Sequence, residues 1–141
     1  MLDHLLHRYG SAVRDLMAAI QTQPDLAKPL EHASAYLRAE IHFAATHEQV
    51  LHLEDVLLHR TRLSYEIADA GRAALDEIAA IVAPILGWDE AKVAAEKASY
   101  IARCDATDAV ALTGSDADAE QARRAAPDIA PLQPLHPAAA S

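Results

Sequence analysis

The sequence predicts an all-α fold, a small bundle of about five helices with a disordered C-terminal tail. Three observations favour this fold class. Apolar residues make up 52% of the 141 residues but aromatic residues only 4%, and the many alanines, leucines, glutamates and arginines favour helix over strand. Apolar side chains recur at helical spacing in several segments. After Thr113 that spacing is lost, and proline and alanine dominate the sequence.

The N-terminal segment predicts a short helical stretch, a break at Gly10 and then a second helix. Apolar residues keep helical spacing as far as Tyr9, and a glycine weakens any continuation. Ser11 can cap the next helix through its side-chain oxygen. The apolar face of that helix consists of Val13, Leu16, Met17 and Ile20.

The middle of the chain predicts a loop followed by two helices. Pro24 and Pro29 bracket the loop, because proline lacks a backbone donor and disfavours helix in the residue before it. Ser34 can then cap a helix. A central helix is predicted from about Gln49 to His59. Residues 63–67 are also assigned to helix, because a lone strand would have no partner.

Two further helices have clear boundary signals. The first starts near Asp69, contains Pro84 and ends at Gly87 in a left-handed cap. Asp89 caps the second helix. Its predicted buried side chains are Val93, Tyr100, Ile101 and Cys104. Residues 116–127 can form one more short helix, and the rest of the C-terminal segment is proline- and alanine-rich without periodicity.

Charge and hydropathy exclude several function classes. The formal net charge is −9 and the sequence has no basic run, so nucleic acid and anionic membrane surfaces are not expected partners. No segment approaches the roughly 20 apolar residues of a transmembrane helix. The single cysteine, Cys104, cannot form an internal disulfide and suits a reducing cytoplasm.

The central stretch from Glu40 to Glu66 carries a resemblance to a known family. Its sequence HEQVLHLEDVLLHRTRL, at residues 47–63, resembles the signature of the C-terminal helical domain of FAD-dependent, quinone-linked glycerol-3-phosphate dehydrogenases, and the actinobacterial form is the most similar. The pieces HLLHRYGS, YLRAEIHFAATHE and LGWDEAKVAAEKASY fit the same pattern in order. One position departs from it, because the family usually has two consecutive arginines before the threonine and this chain has His59 as the first.

The resemblance implies a division of the chain and a partner. Residues 1–9 would be a connector from a catalytic domain missing here, residues 10–113 the helical C-terminal domain, and residues 114–141 a flexible tail. The alternative for residues 1–9 is an ordinary first helix flawed by Gly10. The family's catalytic FAD domain would be the partner, and self-association through exposed apolar surface is a further expectation. The full enzyme would be cytoplasmic, and peripheral to the inner membrane face.

The family's cofactor is not expected to bind this chain. A dinucleotide fingerprint needs G-x-G-x-x-G between a strand and a helix, whereas the four glycines here are widely separated. We therefore expect no FAD site, no metal site and no catalytic residue in this chain. The family's reaction oxidises glycerol 3-phosphate to dihydroxyacetone phosphate and passes the electrons through FAD to quinone.

Five residues of the central stretch are candidates for ion pairs within the domain or between domains. Glu54 and Arg60 fall on the apolar arc of the predicted central helix, where a charge is costly unless it is paired. Asp55, Thr61 and Arg62 adjoin them. The preferred interpretation is that Glu54 and Arg60 each form a structural ion pair with a partner within this domain. Arg62 stays open between that role and approach to an anionic substrate or a carboxylate.

Two other functions remain as alternatives. The chain could be a free-standing helical protein-binding module whose acidic surface serves a partner. It could also be a metal-binding bundle, because His52, Asp55 and His59 share one face of the predicted helix. A solvated polar face is the preferred interpretation of these three side chains.

Overall fold

The computed structural model describes residues 2–112 and 115–125, and it confirms the all-α class. Within these residues most of the regular structure is helical. The α-helices are α1 (Leu2–Tyr9), α2 (Val13–Thr22), α3 (Arg38–His47), α4 (Leu63–Glu66), α5 (Leu75–Leu86), α6 (Glu90–Ala111) and α7 (Asp116–Ala125). The other elements are 3-10 turns at Gly10–Ala12, Pro24–Ala27 and Arg72–Ala74, a π-helical turn at Asp55–Arg60, and the strands β1 (Pro29–Leu30) and β2 (Ala33–Leu37).

Helix α3 lies between two hydrophobic clusters and separates them. The smaller cluster consists of Leu5, Leu16, Leu26, Leu37, Ala39 and Phe43. The larger cluster receives Ile41, Ala44 and Ala45 from α3. Helix α5 and the π-helical turn complete the larger cluster with Ile78, Val82, Val56 and Leu57. Since apolar residues of α3 are buried on both sides, this helix lacks the wide polar face of a surface helix.

Helix α1 is packed into the bundle. Its Leu5 is buried in the same cluster as Leu16 of α2. Gly10 has a φ of +51°, so the chain turns there into a 3-10 turn before α2 begins. The interpretation of residues 1–9 as a connector from a catalytic domain stays a prediction, but α1 also serves as the first helix of this domain.

The predicted start of a helix at Ser34 is wrong. Ser34 lies in β2, which pairs with β1 as an antiparallel hairpin. Arg38 donates its backbone N–H to the Lys28 carbonyl at 2.9 Å. The Glu40 carboxylate accepts the Leu37 backbone N–H at 2.8 Å. These two bonds fix the start of α3 at Arg38. The Glu40 carboxylate accepts a backbone N–H at the helix N-terminus, which is the role that the Ser34 side chain was expected to have.

The central helix is shorter and wider than predicted. Gln49 has a φ of +54°, which interrupts the helical conformation after α3. The Asp55 carboxylate accepts the backbone N–H groups of Leu51 and His52 at 3.0 and 2.9 Å. Thr61 donates its N–H to the Val56 carbonyl at 2.9 Å, which is the i→i+5 bond of a π-helix.

The predicted position of Arg60 on the apolar arc is wrong because of the π-helical turn. A regular helix would place Arg60 on the apolar arc, but the wider turn rotates it away, and its side chain is exposed. Val56 and Leu57 stay buried, because they lie at the start of the turn, before its wider geometry has rotated the side chains away from the apolar arc.

The end of α5 and the start of α6 are confirmed, but the predicted start near Asp69 is wrong, because α5 begins at Leu75 after the 3-10 turn at Arg72–Ala74. Gly87 has a φ of +68°, and the next residue donates its N–H to the Ala83 carbonyl at 2.9 Å. Asp89 caps α6 by accepting the Lys92 N–H at 2.7 Å. The predicted burial of Ile101 is wrong, since its side chain is 40% exposed. Its neighbour Tyr100 faces the core, so Ile101 points about 100° away on the helix.

The short helix predicted near the C-terminus is confirmed as α7, which packs against α6 and buries Ala119. Residues 113–114 and 126–141 lie outside the described residues, so the predicted flexibility of residues 114–141 stays a prediction there. No helix in the described ranges combines the length and the apolar character that crossing a bilayer would require.

Glu96 of α6 forms a buried polar tether to the start of the π-helical segment. One carboxylate oxygen accepts the Leu53 backbone N–H at 3.0 Å. The other lies 2.9 Å from Nδ1 of His52 and 2.6 Å from Nζ of Lys92. Glu96 and Lys92 are both buried, and removing one partner of a buried ion pair is more costly than replacing the pair.

Glu96→Gln is therefore expected to lower the free energy of unfolding by about 2–4 kcal/mol, because the Lys92 ammonium loses this ion pair while it stays buried. Urea unfolding followed by circular dichroism measures the loss. Glu31→Gln, at an exposed carboxylate in the hairpin, is the control and should change stability by less than about 0.5 kcal/mol. A loss below about 1 kcal/mol for Glu96→Gln would contradict the tether.

Candidate functional site

The backbone carbonyl of Thr61 is the point where three distant parts of the chain meet. Thr61 is fully buried, and its hydroxyl donates to the Val56 carbonyl at 2.6 Å. The hydroxyl of Tyr36, from β2, lies 2.6 Å from the Thr61 carbonyl oxygen. The guanidinium group of Arg8, from α1, donates to the same oxygen. The Thr61 carbonyl thus links α1 and β2 to the end of the π-helical turn.

Tyr36 is fully buried, and its hydroxyl has three polar neighbours. Besides Thr61, the hydroxyl lies 2.5 Å from a Glu66 carboxylate oxygen and accepts from Arg8 at 3.1 Å. The hydroxyl has a single hydrogen, so it donates to Thr61 or Glu66 at any one time. Burial, followed by donation to Glu66, raises the pKa of Tyr36 to about 12. The guanidinium carbon of Arg8 lies 5.0 Å from the centre of the Tyr36 ring, a cation–π contact.

A buried carboxylate, that of Glu40, ties α1 to the start of α3 beside this junction. Glu40 of α3 is fully buried, and one of its oxygens lies 3.2 Å from Nε2 of His4. Its other oxygen holds the Leu37 N–H at the start of α3. Both oxygens are therefore satisfied, as a buried carboxylate requires.

Arg8 and Glu66 of the junction also line an open pocket of about 540 Å³, which we call the basic pocket. Helix α1, the end of the π-helical turn and α4 contribute its walls. Its lining residues are His4, His7, Arg8, His59, Arg60, Arg62 and Glu66. Six of these seven side chains are basic, although the chain as a whole has a formal charge of −9.

The five predicted site residues separate into two groups. Arg60 and Arg62 line the basic pocket, and Thr61 between them is buried and accepts from Tyr36. Glu54 instead forms an ion pair with Arg103 of α6, whose Nε lies 2.7 Å from the Glu54 carboxylate. Glu54 therefore has an ion-pair partner within this domain and ties the π-helical turn to α6, whereas Arg60 lines the basic pocket.

Asp55 and the histidines near it do not form a metal centre. The Asp55 carboxylate is used by two backbone N–H groups, and His52 faces Glu96. His59 is exposed at the basic pocket. Among residues 2–112 and 115–125, no three histidine, cysteine, aspartate or glutamate side chains are grouped so that they could hold a metal ion.

A larger pocket of about 750 Å³ lies between α6 and the segment that follows the π-helical turn. Tyr100, Arg103 and Cys104 line it together with Glu54 and Tyr65. The Tyr100 hydroxyl donates to the Ala70 carbonyl at 2.6 Å. Burial raises the pKa of the Cys104 thiol, so the thiol is less ionised at neutral pH than a free cysteine and is a poor nucleophile.

The residues in the described ranges do not fit an FAD site. Gly10, Gly71 and Gly87 have positive φ, but each lies in an isolated turn. The two strands form a small antiparallel hairpin, whereas a dinucleotide site needs a glycine-rich turn between a parallel strand and a helix.

Sequence reasoning did not single out four residues of this site: His4, Arg8, Tyr36 and Glu66. Their contacts join segments far apart in the sequence, and no local spacing predicts such contacts. The first three do lie within the pieces that resemble the family, HLLHRYGS and YLRAEIHFAATHE, and this was the available signal. The resemblance depends on the order of these pieces along the chain and assigns no role to His4, Arg8 or Tyr36.

Three of the four tyrosines should resist ionisation in the folded chain. Burial is the largest cause that raises the pKa of Tyr9, Tyr36 and Tyr100, and Tyr36 reaches about 12. Because the folded pKa of Tyr36 exceeds the unfolded value of 10, its contribution to stability is present below pH 10 and is lost as the pH rises through about 12.

Phenolate absorbance during an alkaline titration measures this resistance. The folded chain should ionise only a minor part of its phenols by pH 10, and the rest should ionise together with loss of the helical circular dichroism signal. The urea-unfolded chain is the control, and all of its phenols should titrate near pH 10. Reversible ionisation of every tyrosine near pH 10 with the helical signal intact would contradict the burial of these hydroxyls.

The sequence of this chain is similar to those of known proteins over most of its length. The chain is 40% identical over 125 residues to a glycerol-3-phosphate dehydrogenase of Mycobacterium leprae, covering 89% of this chain and 21% of that protein. The same identity and coverage hold for glycerol-3-phosphate dehydrogenase 2 of Mycobacterium tuberculosis. A mitochondrial glycerol-3-phosphate dehydrogenase of Arabidopsis thaliana is 34% identical over 89 residues, which cover 63% of this chain and 14% of that protein. No solved structure matches the chain.

The resemblance found in the sequence is confirmed by these matches, which do not favour a free-standing binding module. The chain spans about a fifth of the length of its mycobacterial relatives. The model of one domain family matches residues 1–93, and this range includes α1, the π-helical turn and the basic pocket. The chain belongs to the family described as the C-terminal domain of alpha-glycerophosphate oxidase.

Proposed function

We propose that this chain is the C-terminal domain of an FAD-dependent, quinone-linked glycerol-3-phosphate dehydrogenase and that its role is to pack on the catalytic FAD domain. The observation that carries the proposal is the 40% identity to mycobacterial glycerol-3-phosphate dehydrogenases over 125 residues. The domain is structural in this proposal, and FAD and the reacting atoms of glycerol 3-phosphate belong to the catalytic part.

The packing of the domain supports a structural role. Its own core is complete, with two clusters on either side of α3 and buried polar tethers at Glu96 and Thr61. Large apolar side chains nevertheless remain at the surface of α1 and α2, where Leu6 and Met17 are exposed. Tyr65 and Leu51 are also exposed on either side of the π-helical turn. These side chains are the surface that we expect the catalytic part to cover.

The same proposal covers the location of the enzyme and the association of isolated chains. The net charge of −9 does not favour direct contact of this domain with an anionic bilayer. The full enzyme would act in the cytoplasm, and any contact with the inner membrane face would be made by its catalytic part. Without that part, the exposed apolar side chains are expected to promote self-association.

A chimeric enzyme tests the proposal. In the Mycobacterium leprae relative, the matching region, which is 21% of that protein, is replaced by residues 1–141. The chimera is expected to bind flavin and to reduce a dye with glycerol 3-phosphate, whereas the same enzyme truncated before this region should lose solubility or activity. The isolated chain should be colourless and inactive with glycerol 3-phosphate.

A chimera carrying Leu57→Asp is the matched control. Leu57 is fully buried in the π-helical turn, so a carboxylate there should unfold the domain while the length of the polypeptide stays the same. Loss of activity in this control would show that a folded domain is required. Equal activity in the truncated enzyme and the chimera would contradict the structural role, and stoichiometric flavin in the isolated chain would contradict its lack of a cofactor site.

A further inference from the structure

We propose that the basic pocket binds a phosphate group carried by a small soluble molecule. The inference concerns the chain by itself and does not depend on the proposed function. It rests on the charge of the pocket, on the way its arginines are held and on its size.

The charge of the pocket is opposite to that of the chain. Three arginines and three histidines line the pocket with one carboxylate, Glu66, which already accepts from Tyr36. The half-buried Glu48 carboxylate lies within electrostatic range of Arg60 and Arg8. Within residues 2–112 and 115–125, the guanidinium groups of Arg60 and Arg62 have no ion-pair partner within 4.0 Å. Like charges held together repel one another. A bound anion would offset this repulsion, and the local positive potential would attract it.

The Arg8 side chain is held in place before any ligand arrives, and the backbone of Arg62 is strained. Arg8 is fixed by the Thr61 carbonyl, by the Tyr36 hydroxyl at 3.1 Å and by the Tyr36 ring. Arg62 has a φ of +64°, a left-handed conformation that residues other than glycine rarely adopt. A strained residue next to two other arginines is a reason to look for a ligand.

The donors suit a phosphate better than a carboxylate. A guanidinium group offers a rigid fork of N–H donors that binds phosphate oxygens in pairs. Arg8, Arg60 and Arg62 approach the pocket from different elements. A phosphate monoester has three terminal oxygens to accept from three directions, whereas a carboxylate has two oxygens in one plane.

The size of the pocket indicates that the phosphate is part of a larger molecule. Its volume is about 540 Å³, which lies within the range of small-molecule sites, about 300–1,000 Å³. A bare phosphate ion would fill only part of that space. The open mouth leaves room for a short polar group beyond the phosphate, and His7 and His59 could donate to it or accept from it.

Calorimetric titration of the 141-residue chain with inorganic phosphate and with glycerol 3-phosphate, at constant ionic strength, tests the inference. We expect saturable binding at one site. In the double variant Arg60→Gln, Arg62→Gln, the dissociation constant should rise by at least about tenfold. Both side chains are exposed, so the variant should keep its helical circular dichroism. His59→Gln, also exposed, is the second variant if the double variant fails to fold, and it should weaken binding to a smaller extent.

Arg14→Gln is the matched control, because Arg14 is an exposed arginine of α2 outside the pocket, and its binding should equal that of the unchanged chain. The inference is overturned if neither phosphate compound binds saturably at millimolar concentration. It is also overturned if acetate competes as well as phosphate, or if Arg14→Gln weakens binding as much as the double variant. Retention on phosphatidylglycerol vesicles that soluble phosphate does not displace would assign the pocket to a lipid surface instead. These outcomes are independent of the activity of the chimera.

Discussion

The Thr61 carbonyl is the constraint on which the arrangement of this domain depends. It lies at the end of a π-helical turn, so its own helix does not use it, and it accepts from Tyr36 of β2 and from Arg8 of α1. A buried carbonyl without donors would cost the full desolvation of that group. The hairpin and α1 must therefore take their places for the turn to be stable, and the basic pocket forms as a consequence.

The polar tethers and the apolar core have different tasks. The two clusters around α3 supply most of the burial, but apolar contact alone does not fix the register of one element against another. Glu96 sets the position of α6 against the start of the π-helical turn. The ion pair of Glu54 with Arg103 does the same about two helical turns further along α6. The Thr61 carbonyl fixes the other end, so both ends of the turn are held by directional bonds.

Sequence reasoning predicted the elements whose boundaries depend on local chemistry. Gly87 and Asp89 mark the end of α5 and the start of α6 in their own residues, and both were predicted correctly. The hairpin and the π-helical turn were missed because both are closed by contacts that no local pattern encodes. The same holds for the site: Arg60 was singled out by its place on the predicted apolar arc, and Thr61 and Arg62 by their place beside it, while Tyr36 and Arg8 reach Thr61 across 25 and 53 residues of sequence.

A double-mutant cycle of Arg8→Met and Tyr36→Phe tests the central constraint most directly, with the free energy of unfolding as the measured quantity. Each single variant should cost about 1–3 kcal/mol, and the two costs should differ from additivity by more than about 0.5 kcal/mol, because both groups donate to one carbonyl and contact each other. The exposed pair Arg14→Met and Tyr65→Phe is the reference cycle and should be additive. Additive costs for Arg8→Met and Tyr36→Phe, or costs near zero, would contradict the role of the Thr61 carbonyl.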